Sequence, residues 1–184
     1  MTSTAHCIEH LTRPVPSVEA ITLCGSHRQG TSEISCYHRE PDLAPSVPRV
    51  GGPGRVVDFS DPLALDSARI KTALAEHATA PLVIVEGTFA LALPKLTAVA
   101  TLTVYVDTPA DIRVVRKTLR KLQEGQDPAP GLLGYDSSHR SYTRNVTPTR
   151  EHADLVLDGT RTTAQLTAEL QAHLAEQGRD TSAP

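Results

Sequence analysis

Short apolar runs and longer stretches of helical spacing alternate along the chain. Ala20 to Cys24, Leu82 to Val85 and Leu102 to Val106 are short, β-branched and apolar on both alternations, the pattern of strands buried on both faces of a parallel sheet. Ala153 to Leu157, Ala-Asp-Leu-Val-Leu, reads as a fourth strand. Asp66 to His77 and Thr108 to Glu124 read as helices, the first opening on an Asp suited to N-capping and the second on Thr-Pro-Ala-Asp. Strands alternating with helices predict an α/β fold, a parallel sheet covered on both faces. Glu40 to Arg55 carries four prolines and three glycines, so it is predicted to be loop or irregular coil. No internal repeat is visible. In such a sheet ligands bind beyond the carboxyl ends of the strands, which singles out Gly25 to Ser32, Glu86, Gly87 and Asp107.

The 184 residues suffice for one α/β domain and are short for two, so a single domain over 1–184 is expected, with 1–17 and 178–184 as flexible ends. Hydrophobic residues make up 39% of the chain and mean hydropathy is −0.22. No apolar run approaches the roughly 20 residues that a membrane span needs. The first ten residues lack a basic region followed by an apolar stretch, so a cytoplasmic location is expected. Cys7, Cys24 and Cys36 are an odd set without a CxxC pair, which argues against a disulfide framework or a structural zinc site. A formal charge of −3, a pI near 6.2, 3% aromatics and no Trp argue against a nucleic-acid partner.

Three segments are distinctive in combination. Leu82-Val-Ile-Val-Glu-Gly-Thr-Phe-Ala-Leu91 is followed by Leu102-Thr-Val-Tyr-Val-Asp-Thr-Pro-Ala-Asp-Ile-Arg-Val-Val-Arg-Lys-Thr-Leu-Arg120, and then by Val146-Thr-Pro-Thr-Arg-Glu-His-Ala-Asp-Leu-Val-Leu157. The set resembles the uridine kinase and phosphoribulokinase family, with its strand ending in Glu-Gly, its Val-Asp strand leading into an Asp-x-Arg helix, and its Pro-Thr-x-x-x-Ala-Asp entry to the last core strand. Phe59-Ser-Asp-Pro-Leu-Ala-Leu-Asp66 matches the family's Phe-Asp-His-Pro-Asp-Ala-Phe-Asp element at four of its eight positions. The resemblance spans residues 55 to 160 and implies a trimmed version of the three-layer parallel sheet of the P-loop nucleoside kinases.

Arg113, Arg116 and Arg120 stand at i, i+3 and i+7 and share one face of the predicted helix. Such a stripe can clamp an anion. The resemblance implies that these arginines steady a transferring phosphoryl group; the alternative is a solvated basic face beside Lys117 and Lys121.

The amino-terminal half departs from the family. Its phosphate loop, Gly-x-x-x-x-Gly-Lys-Ser/Thr, cradles phosphates on backbone amides and reaches them with the lysine. Gly25-Ser-His-Arg-Gln-Gly-Thr-Ser32 keeps both glycines and the last Ser but has Thr31 at the lysine position. Threonine supplies no cation, so weak ATP binding is expected, with His27 and Arg28 as candidate substitutes. The family's Asp-Ser-Phe-Tyr, whose Asp accepts the proton of the attacking hydroxyl, has its best counterpart in Ile34-Ser-Cys-Tyr37, where Ile34 cannot be a base. The gap from Asp66 to Glu86 is too short for the family's nucleoside-covering hairpin.

These departures lead to the expectation of a nucleoside or nucleotide site that no longer transfers phosphate. Glu86, Tyr37, His38 and Arg116 are the catalytic candidates. His27, Arg28, Ser60, Asp61, Arg113, Arg120 and Tyr135 are the substrate-binding ones, with Tyr142 as a further candidate and no metal ligand among them. Glu86, freed from organising Mg²⁺, would act as general base or acid with its pKa set by burial and the arginines. A lyase that eliminates water from the sugar needs a base, an acid and a cation to steady charge, and this set provides them. The alternatives are an ATP-dependent nucleoside kinase with a rearranged phosphate loop and a silent pseudokinase. No cofactor is expected for the lyase; ATP and Mg²⁺ enter only with the kinase. The expected partner is a small-molecule nucleoside or nucleotide, with association into a homodimer.

Overall fold

The computed structural model describes residues 20–24, 39–49, 52–77 and 83–180. Six strands occur among these: β1 Ala20–Cys24, β2 Ser46–Pro48, β3 Arg55–Val57, β4 Val83–Glu86, β5 Leu102–Asp107 and β6 Leu155–Asp158. The helices are α1 Ser67–Glu76, α2 Pro94–Thr97, α3 Ala110–Gln123, α4 Ala129–Leu133, α5 Tyr135–Asn145 and α6 Thr163–Asp180. Strands β4, β1, β5 and β6 pair in that order, all parallel. Their carboxyl ends therefore share one edge of the sheet. None of the described helices is long and apolar enough to cross a membrane.

Period-two alternation divides the strand side chains between two cores. Ile84, Leu102, Val104, Leu155 and Leu157 face α6, where Leu166, Leu170 and Leu174 at helical spacing cover them. On the other face Tyr105 and Val156 pack with Phe89, Leu91 and Val146, while Val83 and Val85 pack with Ile70 and Leu74 of α1 and Leu96 of α2. Val104 and Val146 are wholly excluded from solvent, and burial of such a side chain stabilises by about 1.5–3 kcal/mol. Helices on both faces of a parallel sheet make the predicted three layers.

Helix α1 begins where expected because Asp66 Oδ1 accepts hydrogen bonds from the amides of Ala68 and Arg69 at 3.0 and 3.1 Å. Strand β6 begins two residues later than expected, and the reason is Asp154. Its Oδ2 accepts from the amide and hydroxyl of Thr103 at 2.7 and 2.6 Å, while its own amide donates to Thr103 Oγ1 at 3.0 Å. Asp154 thus pins the start of β6 to β5 through its side chain.

The stretch expected to be coil needs correction. Ser46–Pro48 and Arg55–Val57 pair antiparallel, with Ser46 opposite Val57 and Pro48 opposite Arg55. A two-stranded ribbon has free edges on both sides, so it tolerates a proline without an amide donor. The Arg49 amide closes the turn on the Gly54 carbonyl at 2.9 Å, and Gly54 at φ 91° takes a left-handed conformation that other residues resist.

Candidate functional site

A cavity of about 700 Å³ opens beside the carboxyl ends of the sheet strands. Its floor comes from Thr88 and Phe89, directly after β4, and one wall from α3 through Arg113, Val114, Lys117, Thr118 and Lys121. The β2–β3 hairpin supplies Val47, Pro48, Val56 and Val57, and the turn after it supplies Asp58, Phe59 and Ser60. Helices α4 and α5 close the far side with Leu132, Tyr135, His139 and Tyr142. Apolar and aromatic side chains thus surround a few convergent polar groups, the usual make-up of a small-molecule site.

The arginines of α3 take different places. Arg113 lines the cavity, its guanidinium carbon 3.5 Å from the centroid of the Tyr142 ring. That ring is itself fixed by a 2.8 Å hydrogen bond between the Tyr142 and Tyr105 hydroxyls. Arg113 Nε is buried and makes no hydrogen bond. Arg116 turns away from the cavity and donates through one terminal nitrogen to the carbonyl of Gly159 at 2.6 Å, tying α3 to the turn after β6. Arg120 is not among the lining residues. At about 100° per residue, Lys117 and Lys121 lie about 40° and 80° from Arg113 on the side of Val114 and Thr118, while Arg116 and Arg120 lie on the opposite side. Arg113, Arg116 and Arg120 still share one face of α3, but the residues of the helix that line the cavity with positive charge are the i, i+4, i+8 row of Arg113, Lys117 and Lys121. Lys117 is exposed, yet partial desolvation of its ammonium comes first, and the neighbouring charges of Lys121 and Arg120 second, in lowering its pKa from the usual lysine value.

The other predicted residues are dispersed. Ser60 lines the cavity; its amide and hydroxyl both donate to Asp58 Oδ1, the amide at 3.0 Å, and its carbonyl accepts from Ser141 of α5. Asp61, expected to touch sugar hydroxyls, instead caps the turn Pro62–Ala64 by accepting from the Leu63 amide at 2.8 Å, and it does not line the cavity. Tyr135 lines the cavity with its ring stacked on His139 at 5.7 Å, and its hydroxyl donates to the Ala110 carbonyl at 3.3 Å. Glu86 ends β4, half-buried, and is not among the lining residues. Asp107 pairs with Arg150 at 2.9 Å, both about half exposed. His27, Arg28, Thr31, Ile34, Tyr37 and His38 lie outside the described residues.

Asp58, Thr88, Lys117, Lys121 and His139 line the cavity without having been singled out as site residues from the sequence. For the lysines the signal was available, since they continue the row of Arg113 at four-residue spacing. For Asp58 there was none, because its place depends on the hairpin. Among the described residues no group of three His, Cys, Asp or Glu side chains lies close enough to hold a metal ion.

Comparison with known proteins bears on this geometry. The Phosphoribulokinase / Uridine kinase family matches residues 57–166. The chain is similar to a uridine kinase of Borrelia hermsii, 34% identical over 91 residues that make up 48% of this chain and 44% of that protein. It is also similar to one of Oceanobacillus iheyensis, 32% identical over 77 residues, 41% of this chain and 37% of that protein. The chain therefore matches less than half the length of these relatives. Among solved structures, a candidate fructose transport system kinase from Silicibacter sp. TM1040 superposes with a TM-score of 0.51 at 16% identity, covering 85% of this chain and 98% of that one, a likeness of fold. The matches by sequence are to kinases, and they overturn the expectation of a lyase or dehydratase that has given up phosphoryl transfer. With a match that extends over more than half its length, from the end of β3 into α6, the chain belongs to the Phosphoribulokinase / Uridine kinase family.

Proposed function

We propose that the chain is an ATP-dependent kinase that phosphorylates a hydroxyl of a nucleoside-type small molecule held in the cavity beside β4 and α3. The observation that carries this reading is the family match over residues 57–166, which takes in Phe59, Ser60, Phe89, Arg113, Lys117, Tyr135 and Tyr142 of the cavity lining. Apolar and aromatic walls suit a planar base, and the polar groups suit a sugar.

Phosphoryl transfer depends on positioning and on stabilising the transferring charge. The acceptor oxygen forms a bond to the γ-phosphorus, the bond from that phosphorus to the β–γ bridging oxygen breaks, and the hydroxyl proton leaves to a base. Asp58 is the one carboxylate among the described lining residues. With Oδ1 held by Ser60, its second oxygen is proposed to hold the acceptor hydroxyl and receive that proton. Arg113, fixed on Tyr142, adds positive charge from the α3 wall of the cavity. Thr31, standing where the family carries lysine, leaves ATP to be held by backbone amides with help from His27 or Arg28.

The test is incubation with a nucleoside panel, with and without ATP and Mg²⁺, followed by product mass. Gain of one phosphate that requires ATP, and that Asp58→Asn abolishes in a chain that still folds, supports the reading. Absence of phosphate transfer to every nucleoside, with nucleotide binding retained, overturns it in favour of a silent pseudokinase, which Thr31 would explain.

A further inference from the structure

A second cavity, of about 490 Å³, opens at the opposite edge of the sheet, where β5 and β6 begin. It shares no lining residue with the cavity beside α3. Leu91 and Ala100 give it an apolar side, and Thr97, Thr101, Thr103, Thr149, His152 and Asp154 supply polar groups. Their meeting follows from the topology. Thr101 and Thr103 flank the first residue of β5, Asp154 directly precedes β6, and the parallel register of β5 with β6 sets these two starts side by side. Thr97 ends α2, and Thr149 and His152 lie in the turn Thr147–His152 that leads into β6.

The hydrogen-bonding capacity left open there is one-sided. A threonine hydroxyl has one proton to give. Thr97 Oγ1 donates its proton to the Pro94 carbonyl at 3.2 Å, Thr149 Oγ1 to the Val146 carbonyl at 2.7 Å, and Thr103 Oγ1 to Asp154 Oδ2 at 2.6 Å. With these protons committed, Thr97 and Thr149 can offer a ligand only lone pairs. Asp154 uses Oδ2 for both the amide and the hydroxyl of Thr103. Among the described residues its Oδ1 takes no hydrogen bond and no cation pairs with it. Acceptors around a carboxylate oxygen, with apolar surface beside them, suit a molecule that is rich in N–H donors, positively charged and partly apolar. His152 can donate or accept according to its tautomer, so it does not reverse this balance.

We infer that this second cavity binds a small organic cation, an ammonium or guanidinium group on a short carbon chain. The charged group meets Asp154 Oδ1 and the lone pairs of Thr97 and Thr149, and the carbon chain lies against Leu91 and Ala100. Asp154 then divides its two oxygens, one joining β6 to β5 and the other facing the ligand. Because none of these residues belongs to the cavity beside α3, the site stands or falls independently of the kinase reading.

The test is a set of ¹⁵N–¹H correlation spectra of the full chain at fixed ionic strength, titrated separately with agmatine, butanediol and succinate. Agmatine is expected to shift the amides of Thr101, Thr103 and Asp154 to saturation at millimolar concentration, while the neutral and anionic compounds leave them in place. Asp154→Asn keeps an oxygen for Thr103 but turns an amide donor toward the ligand, so it is expected to weaken agmatine binding by about tenfold or more. Ala100→Leu keeps every charge and fills the space, and it is expected to abolish saturation. The inference is overturned if agmatine leaves these amides unshifted, or if butanediol or succinate shifts them as strongly. It is equally overturned if either variant, folded by circular dichroism, binds agmatine as the wild type does, since general attraction to a negatively charged chain would then suffice.

Discussion

Gly159 follows β6 and is held on both sides of its peptide. Its amide donates to the Asp107 carbonyl at 2.8 Å, and its own carbonyl accepts from Arg116. A Cβ at this position would overlap Thr108 Oγ1 outright and would come within 3.0 Å of Val106 Cγ1 and 3.1 Å of the Asp107 carbonyl. Thr108 is only 8% exposed, so its hydroxyl has little room to retreat, and the β6 end must move away from β5. Overpacking of this kind costs about 1–3 kcal/mol. For a domain of this size each kcal/mol lowers the melting temperature by about 2–4 °C, so Gly159→Ala is expected to melt about 2–12 °C lower by circular dichroism. Thr108→Ala removes the clashing hydroxyl, and in Thr108→Ala/Gly159→Ala part of the loss should return as a coupling energy above about 0.5 kcal/mol. A Gly159→Ala variant that melts within about 1 °C of the wild type, or a double variant in which the two losses simply add, would refute the steric account.

Three further outcomes separate structure from site. Arg116→Met removes the partly buried charge-assisted bond to Gly159 and should cost about 1.5–3 kcal/mol in urea unfolding, whereas Arg113→Met should lower acceptor affinity with a smaller change in stability; equal stability losses would contradict the division of the arginines. Asp154→Ala should destabilise by about 1–3 kcal/mol because it strands the Thr103 amide and hydroxyl, and Asp154→Asn, which keeps an acceptor oxygen, should cost less by thermal unfolding. Lys117 should titrate below the usual lysine value of 10.5, followed by the ¹³Cε shift, and Lys121→Gln should raise it part of the way back. Because the folded chain then binds fewer protons at Lys117 than the unfolded chain does between the lowered value and 10.5, stability should rise with pH through that window, and Lys117→Gln should flatten the rise.

Much of the fold was legible without coordinates. The four apolar runs of the main sheet, the capping Asp66 and the alternation of strand and helix follow from local chemistry, and each is decided by a few adjacent side chains. The kinship was legible as well, since Glu86-Gly87, Asp107 to Arg120 and Pro148 to Asp154 form an ordered set. The function drawn from that set was not, because Thr31 and Ile34 weighed more heavily than the kinase-like remainder. The sequence comparisons reversed that balance.

The sequence by itself determined a parallel α/β sheet of a known family and a basic helix after its Val-Asp strand. Only the tertiary structure decided which side of that helix meets the cavity. Periodicity specifies which residues share a face but not the rotation of the helix against its neighbours. Here that rotation is settled by Arg116 reaching Gly159 across 43 residues of chain and by Arg113 lying on the Tyr142 ring. The hairpin that brings Val47, Val56 and Asp58 to the same space was hidden for a related reason. Its strands are three residues each, too short to carry a period, and they form because of their partners rather than their own propensity.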